Sequence, residues 1–338
     1  MTETIQIIVD GNACGYASHH LDPLTNTSGD QVQAVIGFLT TIAFMKKEFP
    51  AANLVVLWDG RSWRNDVLPS YKESRDPDMS EFDTSKTMDE ATHKRYLAAA
   101  KKSASRAAYK KQGPWIEEAL RCLAVPQITC FNYEADDLAA LFSDRYVEKG
   151  HPVRLVTSDG DWMQLVRNRV IWKENRTPFT FVSIGNFREK AKVGKVRGVF
   201  EDPKAFLEGK LLFGDKGDNV PGIPGFGDVA LERFFLSFGG LERFFDMPLS
   251  KVEQTFKADH GKAAPKCITE LHEKGIDCDE LNLARTLMDL RTPNRPAPGK
   301  LLTDRGAFDR AGLLDLTKRL DLYRLSSDID RFMKTFEG

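Results

Sequence analysis

Short apolar runs that each stop at an acidic residue are the feature that most constrains how this chain folds. Three of them are clear: residues 4–9 before Asp10, residues 53–58 before Asp59, and residues 152–157 shortly before Asp159. Their length and their content of valine, isoleucine and leucine are typical of buried strands. Stretches with helical periodicity, such as residues 32–49, lie between them. Strand and helix in alternation predict an α/β fold with a mostly parallel central sheet and helices on both faces.

The same patterns divide the chain into two parts. They predict a helix over residues 134–147 and further strands over residues 127–131, 170–172 and 179–184. After residue 184 the pattern becomes mainly helical and includes a glycine-rich and proline-rich turn at residues 221–227. We therefore expect an α/β domain over residues 1–184 and a helical region over residues 185–338.

A charged segment interrupts the first part. Residues 62–113 hold few apolar stretches, and from residue 86 to 111 they are strongly basic and rich in alanine. A solvated helix is expected there, because such a composition suits an exposed helix and not a core strand. Gly113 and Pro114 are expected to end that helix, so that residues 115–123 form a separate amphipathic one.

Composition narrows the class of partner and compartment. The chain has 338 residues, 41% of them hydrophobic, which suffices for one large or two ordinary domains, and its net charge is −1. A nucleic-acid partner would therefore be held by local basic patches. The five cysteines have no CxxC spacing, which favours neither a zinc site nor a disulfide framework. With neither a signal peptide nor an apolar membrane span in the sequence, a cytoplasmic protein without a membrane partner is expected.

Acidic residues are placed where a parallel sheet would gather them. The carboxyl ends of its strands share one edge, so acids that follow different strands become neighbours in space. Two such charges ~4 Å apart repel by about 4 kcal/mol at an effective dielectric near 20, so a cluster requires cations. Oxygen ligands alone suit Mg²⁺ or Mn²⁺. The candidates are Asp10, Asp59, Glu134, Asp136, Asp137, Asp159, Asp161, Asp215 and Asp218. A single aspartate after a strand is more often a helix cap or a turn residue, so the argument rests on their number.

Five segments that contain these acids resemble the motifs of the 5′ nuclease family, and they follow one another in the same order along the chain. They are residues 8–12 (IVDGN), 58–60 (WDG), 133–137 (YEADD), 157–162 (TSDGDW) and 214–222 (GDKGDNVPG). The family includes flap endonucleases, phage 5′-3′ exonucleases and the nuclease domain of bacterial DNA polymerase I. The resemblance covers residues 5–245, with a weaker echo at 283–293, and implies a PIN-like 5′ nuclease fold with a helical arch and a C-terminal helix-hairpin-helix region.

The resemblance also implies a two-metal hydrolytic site that takes two Mg²⁺ or Mn²⁺ ions. Five of the acids would belong to the first metal cluster: Asp10, Asp59, Glu134, Asp136 and Asp137. Four would belong to the second: Asp159, Asp161, Asp215 and Asp218. Lys72 and Arg75 would be catalytic and would neutralise the scissile phosphate as charge develops on it.

The resemblance implies DNA contacts in two regions, the arch and the helix-hairpin-helix element. Near the arch, which would span residues 62–113 and hold single-stranded 5′ DNA, the expected contacts are Arg64, Tyr71, Lys101 and Lys102. In the helix-hairpin-helix element, placed near residues 214–245, they are Gly222, Gly225 and Gly227. Family members can hold a K⁺ ion near this hairpin.

Some positions depart from the family pattern. Tyr16 is followed by Ala17 where many members carry arginine, and Gly160 stands where polymerase-type members have a cation. Residues 187–206 form an insert without a clear counterpart. The resemblance implies a stand-alone, phage-type enzyme, monomeric and located in the cytoplasm, which would be the host cytoplasm for a phage protein.

The expected substrate is DNA with 5′ ends or flaps, and an RNA–DNA hybrid is a second candidate. Two other functions stay open. A PIN-type ribonuclease would share the acids but lack the arch, and a catalytically idle protein that binds branched DNA would lack some of the metal ligands. A haloacid dehalogenase phosphatase would need an aspartate at position 12, where the chain has Asn12.

Overall fold

The computed structural model describes residues 3–20, 22–75, 79–82, 88–174, 180–292 and 294–337. Within these ranges the main sheet has seven strands, which are β1 (Gln6–Asp10), β2 (Asn53–Leu57), β3 (Gln127–Cys130), β4 (Val153–Val156), β5 (Val170–Lys173), β6 (Phe181–Val182) and β9 (Leu301–Asp304). Their order across the sheet is β6-β5-β4-β1-β2-β3-β9. The five inner strands pair in parallel, and the two edge strands β6 and β9 pair antiparallel. The predicted α/β fold with a mostly parallel sheet is confirmed.

Helices cover both faces of this sheet. Side chains alternate along β1, so that Ile8 joins one core while Ile7 and Val9 join the other. The helices of the second core are α1 (Gly11–His19), α2 (Gln33–Glu48), α4 (Glu90–Cys122), α13 (Arg310–Arg319) and α15 (Ile329–Lys334). The first core holds α5 (Ala135–Glu148) and the helices that follow the sheet, which are α7 (Pro203–Phe213), α8 (Asp228–Phe238), α9 (Leu241–Asp246), α10 (Leu249–His260), α11 (Lys266–Lys274) and α12 (Asp279–Met288).

Short elements complete the described chain. The small helices are α3 (Arg64–Val67), α6 (Phe187–Lys190) and α14 (Tyr323–Ser326), and the insert carries a separate two-stranded hairpin of β7 (Lys192–Val193) and β8 (Val196–Arg197). Single 3₁₀ turns cover Glu73–Arg75, Met79–Glu81, Gly160–Leu165, Ile184–Asn186 and Pro298–Lys300. None of the described helices combines the length and apolarity needed to cross a membrane.

The prediction that Gly113 and Pro114 end a helix was wrong. Helix α4 runs without a break from Glu90 to Cys122, with Pro114 inside it. Proline removes one backbone hydrogen bond from a helix and usually kinks it. Here the residues on both sides of Pro114 are fixed by packing, because Gln112 and Ile116 are both fully buried. Tertiary contacts therefore outweigh the local cost. Residues 76–78 and 83–87 of the expected arch lie outside the described residues.

The chain returns to the sheet near its end. Strand β9 adds to the free side of β3, with Leu302 paired to Thr129, and α13 packs against the buried end of α4. The pattern after residue 184 predicted a mainly helical region and did not indicate this strand. Its residues are half exposed or exposed, so they carry little of the hydrophobic signal by which a strand is found in a sequence.

Candidate active site

Asp10 lies where β1 ends and α1 begins. Its Oδ1 accepts a hydrogen bond from the backbone N–H of Ala13 over 2.9 Å, which caps α1, and its Oδ2 accepts one from the Thr157 hydroxyl over 2.8 Å. Thr157 directly follows β4, the neighbour of β1. Asp10 therefore does serve as a helix cap, the common role of an aspartate after a strand, and at the same time faces the end of the next strand.

Asp59 and Asp159 lie at the same edge of the sheet. Asp59 follows β2, and its Oδ1 accepts from the backbone N–H of Ala135 over 2.8 Å, which ties it to the start of α5. Asp159 follows β4, and its Oδ1 accepts from the N–H of Asp161 over 2.8 Å. The geometry thus places these acids together, as the parallel order of the strands predicts.

Burial, together with the charges of neighbouring acids, raises the pKa of several of these carboxyls. Burial, followed by the charge of Asp59, raises the pKa of Asp10 to about 7. Burial and the neighbouring Asp161 raise the pKa of Asp159 to about 6. The pKa of Asp136 is raised well above its ordinary value by burial and by Asp159, while its Oδ1 accepts from the Trp162 indole over 2.6 Å. A site of this kind binds cations or protons strongly.

The position of Arg64 contradicts the prediction that this residue contacts DNA. Its side chain is 1% exposed and donates to both oxygens of Asp137 over 2.9 and 3.0 Å, to Glu134 over 3.1 Å, and to the Leu287 carbonyl over 2.6 Å. A guanidinium enclosed in this way cannot reach a DNA backbone. In the sequence, Arg64 stands next to Trp63 and three residues after the exposed Arg61, and nothing local distinguishes the buried arginine from the exposed one.

Asp137 is held from two sides. Its Oδ2 also accepts from the backbone N–H of Glu134 over 3.0 Å, which forms a capping box at the start of α5. With Arg64 on both oxygens, Asp137 is better placed to orient Glu134 than to bind a metal ion itself. Burial would raise the pKa of Glu134, but the charges of Lys72 and Arg64 outweigh it, so that pKa is lowered.

Tyr71, Lys72 and Arg75 connect the two groups of acids. The Tyr71 hydroxyl lies 3.0 Å from Glu134 Oε2 and 3.1 Å from Asp218 Oδ2, and the Lys72 ammonium contacts Glu134 and lies 3.9 Å from Asp218. Arg75 Nε donates to Asp218 over 3.0 Å. Tyr71 is 5% exposed with its hydroxyl between the two groups of acids, and its contact with DNA stays a prediction. Lys72 has a φ of 61°, a left-handed conformation that costs energy in a lysine and is often found at functional sites.

Lys210 was missed in the sequence. It is buried in α7, where its ammonium contacts Asp161 and lies 2.9 Å from Asp215 Oδ2. Burial opposes its charge, but Asp161 and Asp215 raise its pKa; Lys210 in turn lowers the pKa of Asp215 against the effect of burial. A lysine between apolar residues, in the run LEGKLLFGD, is the signal that could have revealed it.

The remaining predicted contacts lie on α4 and in the loop between α7 and α8. Lys101 and Lys102 are exposed on α4. Gly222, Gly225 and Gly227 lie in the loop between α7 and α8, and Gly227 is the N-cap of α8. Gly222 lies so close to α7 that a Cβ would fall 2.4 Å from the Phe213 carbonyl carbon. This is a helix–loop–helix arrangement, with the loop beginning beside Asp215 and Asp218.

Cations separate the carboxylates in this arrangement. Within the described ranges, no three acidic, histidine or cysteine side chains are grouped tightly enough to hold one metal ion as they stand. Instead Arg64, Lys72, Arg75 and Lys210 lie between the acids. Tyr71, Asp136, Asp161, Asp215 and Asp218 also line a small enclosed cavity.

Residues 6–192 match the family model described as the 5′-3′ exonuclease, N-terminal resolvase-like domain. The chain belongs to this family of nucleases. A 5′-3′ exonuclease of Aquifex aeolicus is 29% identical over 241 residues, which cover 70% of each protein. DNA polymerase I of Pseudomonas aeruginosa is 25% identical over 293 residues, which cover 86% of this chain; this chain spans 28% of that relative.

The fold is shared with solved nucleases. The T5 5′-exonuclease, in a structure with bound divalent zinc ions, superimposes with a TM-score of 0.55 at 20% identity over 98% of each chain. At that identity the likeness concerns the fold, and it supports the 5′ nuclease architecture expected from the sequence motifs.

Proposed function

We propose that the chain is a divalent-metal-dependent nuclease that hydrolyses DNA phosphodiesters at 5′ ends and at flap junctions. The observation that carries this proposal is the convergence of acids from three separate strand ends with the acids that open α5 and follow α7. The same edge of the sheet also holds Lys72 and Arg75, cations of the kind that a scissile phosphate requires. The family membership of the chain supports the same reaction.

The residues fit a pair of hard divalent ions by their chemistry. All the candidate ligands are carboxylates, and the pKa values of Asp10, Asp136 and Asp159 are raised by burial and, after that, by the charges of neighbouring acids, both of which a bound cation would offset. We assign Asp10, Asp59, Glu134 and Asp136 to one Mg²⁺ or Mn²⁺ ion, and Asp159, Asp161, Asp215 and Asp218 to the other. When bound, these ions would supply an acidified water and stabilise charge on the attacking and leaving oxygens.

The protein's own side chains would position the substrate. Lys72 and Arg75 lie between the two acid groups and are charged throughout the physiological range, since their carboxylate partners raise both pKa values although burial opposes the charge. They can therefore neutralise a phosphate without giving up a proton. Exposed cations on α4, including Lys101 and Lys102, would grip the 5′ single strand through its phosphates.

The other expectations carry over as parts of the proposal. The nuclease domain, residues 1–184, would supply most of the metal ligands and be completed by Asp215 and Asp218, while the loop between α7 and α8 would hold duplex DNA, with K⁺ as a candidate ion there. DNA is the proposed substrate, RNA–DNA hybrid the second candidate, and a monomer the proposed working form.

A flap duplex and a matched blunt duplex, both labelled at the 5′ end, test the proposal. Incubation with Mg²⁺ should release the flap as a short oligonucleotide or digest the blunt end to mononucleotides, and EDTA should stop both reactions. Asp159→Asn should abolish cleavage while retaining DNA binding. Asp66→Asn is the matched control, because Asp66 is an exposed acid that pairs with the exposed Arg61.

The outcomes separate the candidate functions. Cleavage that persists in EDTA, or in the Asp159→Asn variant, would refute the two-metal proposal. Cutting of single-stranded RNA but of neither DNA would favour the PIN-type ribonuclease. Binding of the flap without cleavage in either Mg²⁺ or Mn²⁺ would favour the binding-only protein.

A further inference from the structure

The insert carries a small hairpin with two different faces. Val193 and Val196, paired across β7 and β8, are buried in the core shared with α7 and α8. Lys192, Lys195 and Arg197 are exposed. A ladder of two residues per strand is too short to be stable alone, so the hairpin depends on this packing. It is therefore a fixed part of the fold that presents three cations outward.

The hairpin is docked against the start of α8. Its turn donates a hydrogen bond from the backbone N–H of Lys195 to Asp228 Oδ1 over 2.8 Å. Gly194, with φ of 57°, lies so close that a Cβ there would be 2.4 Å from Asp228 Oδ1 and 2.7 Å from the Phe213 ring. Asp228 is the first residue of α8 and directly follows Gly227. The exposed cations thus adjoin the loop to which we assign duplex DNA.

The three exposed cations of this hairpin repel one another. Lys192 lies directly opposite Arg197 in the ladder, and like charges in that position are destabilising. Nearby Arg188 and Lys190 are paired with Glu201 and Glu189. Among the described residues, no acid forms an ion pair with Lys192, Lys195 or Arg197. An external anion would relieve the repulsion between them.

We propose that the β7–β8 hairpin binds the sugar–phosphate backbone of duplex DNA and extends the contact made by the loop before α8. A duplex suits this surface because both are rigid and because residues 192–197 contain no aromatic side chain on which an unpaired base could stack. The inference rests on the proposed function for the nature of the partner, DNA. It assigns a role to an insert that the motifs of the family do not explain.

Charge removal tests the hairpin directly. The variant Lys192→Gln, Lys195→Gln, Arg197→Gln should bind a blunt duplex at least ten-fold more weakly, and the slope of log affinity against log salt should fall by about 3. Binding of a single-stranded oligonucleotide should be unchanged. Affinity is measured by fluorescence anisotropy with the full chain in EDTA, where no cleavage occurs.

A control variant separates local contacts from net charge. Lys318→Gln, Arg324→Gln, Lys334→Gln removes the same kinds of charge from exposed positions at the far end of the chain. It should keep duplex affinity within about two-fold. Gly194→Ala keeps every charge but should displace the turn from Asp228 and Phe213, and should therefore also weaken duplex binding. Thermal unfolding checks that each variant is folded.

Each outcome decides the point. Wild-type duplex affinity and salt slope in the hairpin variant would overturn the inference, and so would an equal loss in the control variant or an equal loss for the single strand. The proposed nuclease activity is judged separately. If the hairpin contributes to duplex binding but the chain cleaves no DNA, this inference stands and the proposed nuclease activity is refuted. If the chain cleaves DNA but the hairpin variant binds duplex normally, the nuclease proposal stands and this inference is refuted.

Discussion

The hydroxyl of Thr157 donates a hydrogen bond to Asp10 Oδ2 over 2.8 Å. The same hydroxyl oxygen accepts from the backbone N–H of Asp159 over 2.9 Å, so one buried group joins an acid of the first proposed cluster to one of the second. Because its proton and its lone pair are both in use, the hydroxyl fixes the relative position of Asp10 and Asp159. Groups that orient metal ligands in this way typically contribute 10–100-fold to affinity or activity.

Thr157→Val should therefore weaken Mn²⁺ binding and slow cleavage by about ten-fold or more. Valine keeps the β-branched shape at the end of β4 but cannot bond to Asp10. Thr157→Ser keeps the hydroxyl and should retain most of both properties. Equilibrium dialysis with Mn²⁺ and single-turnover cleavage measure the two effects, and equal behaviour of the valine and serine variants would remove Thr157 from this role.

Lys72→Ala should slow single-turnover cleavage by about 10²-fold or more, as expected when a group that stabilises transition-state charge is lost. DNA binding in EDTA should change little, since one of many cations is removed. Lys149→Ala, an exposed lysine at the end of α5, is the control and should be neutral. Unchanged turnover in Lys72→Ala would exclude the lysine from the site.

The sequence predicted the positions of the acidic residues in the site better than the positions of its buried cations. Asp10, Asp59 and Asp159 follow apolar strands, and a parallel sheet has only one edge at which such residues end. No comparable rule applies to Arg64 or Lys210, whose burial depends on contacts with residues far away in the chain. Arg64 reaches Asp137 and the Leu287 carbonyl, 73 and 223 positions further on.

The inner strands of the sheet could be predicted from the sequence, whereas the edge strand β9 and the full length of α4 could not. The inner strands have the apolar content that identifies buried strands, whereas β9 is an edge strand with exposed residues and lacks it. Pro114 is the opposite case. The local sequence strongly predicts that a helix ends there, but the packing of Ile116 and its neighbours keeps the helix continuous. Such long-range effects are decided by tertiary structure and are not present in a local pattern.

Arg64→Ala should destabilise the protein by about 3–5 kcal/mol, because Asp137 and Glu134 would be left as buried charges without their partner. Arg61→Ala is the matched control. Arg61 forms an ion pair with Asp66 in which both side chains are mostly exposed, so its loss should cost no more than about 1 kcal/mol. Urea denaturation in EDTA measures both values. Equal, small losses would show that the Arg64 contacts contribute little to the folded state.

Lys210→Met should lower the melting temperature in EDTA, since Asp161 and Asp215 would lose the cation between them. Added Mg²⁺ should restore stability more strongly in this variant than in the wild type, because the ion can supply the missing charge. Lys204→Met, on the same helix but in an exposed pair with Glu242, should show neither effect. A deficit that Mg²⁺ leaves unchanged would mean that Lys210 acts by packing alone.

The metal-free protein should lose stability as pH rises from about 4 to about 7. Burial and neighbouring charges raise the pKa of Asp10 to about 7 in the folded chain, well above the ordinary value of an aspartate. The folded state therefore binds a proton that the unfolded state has released, so this contribution to stability disappears as pH passes through the folded pKa. Glu134 and Asp215 have lowered pKa values, and their contributions are lost only in more acidic solution.

Asp10→Asn isolates this effect. The buried His19 has a lowered pKa because of burial, so its contribution rises with pH up to the ordinary pKa of about 6.5 and partly masks the loss. That contribution is common to both proteins and cancels in their difference. The urea midpoint in EDTA should thus fall more steeply with pH in the wild type than in Asp10→Asn, and Mg²⁺ should flatten the wild-type curve by stabilising the carboxylate form. Parallel curves for the two proteins would show that Asp10 ionises normally and that the acids are less crowded than their positions at the sheet edge require.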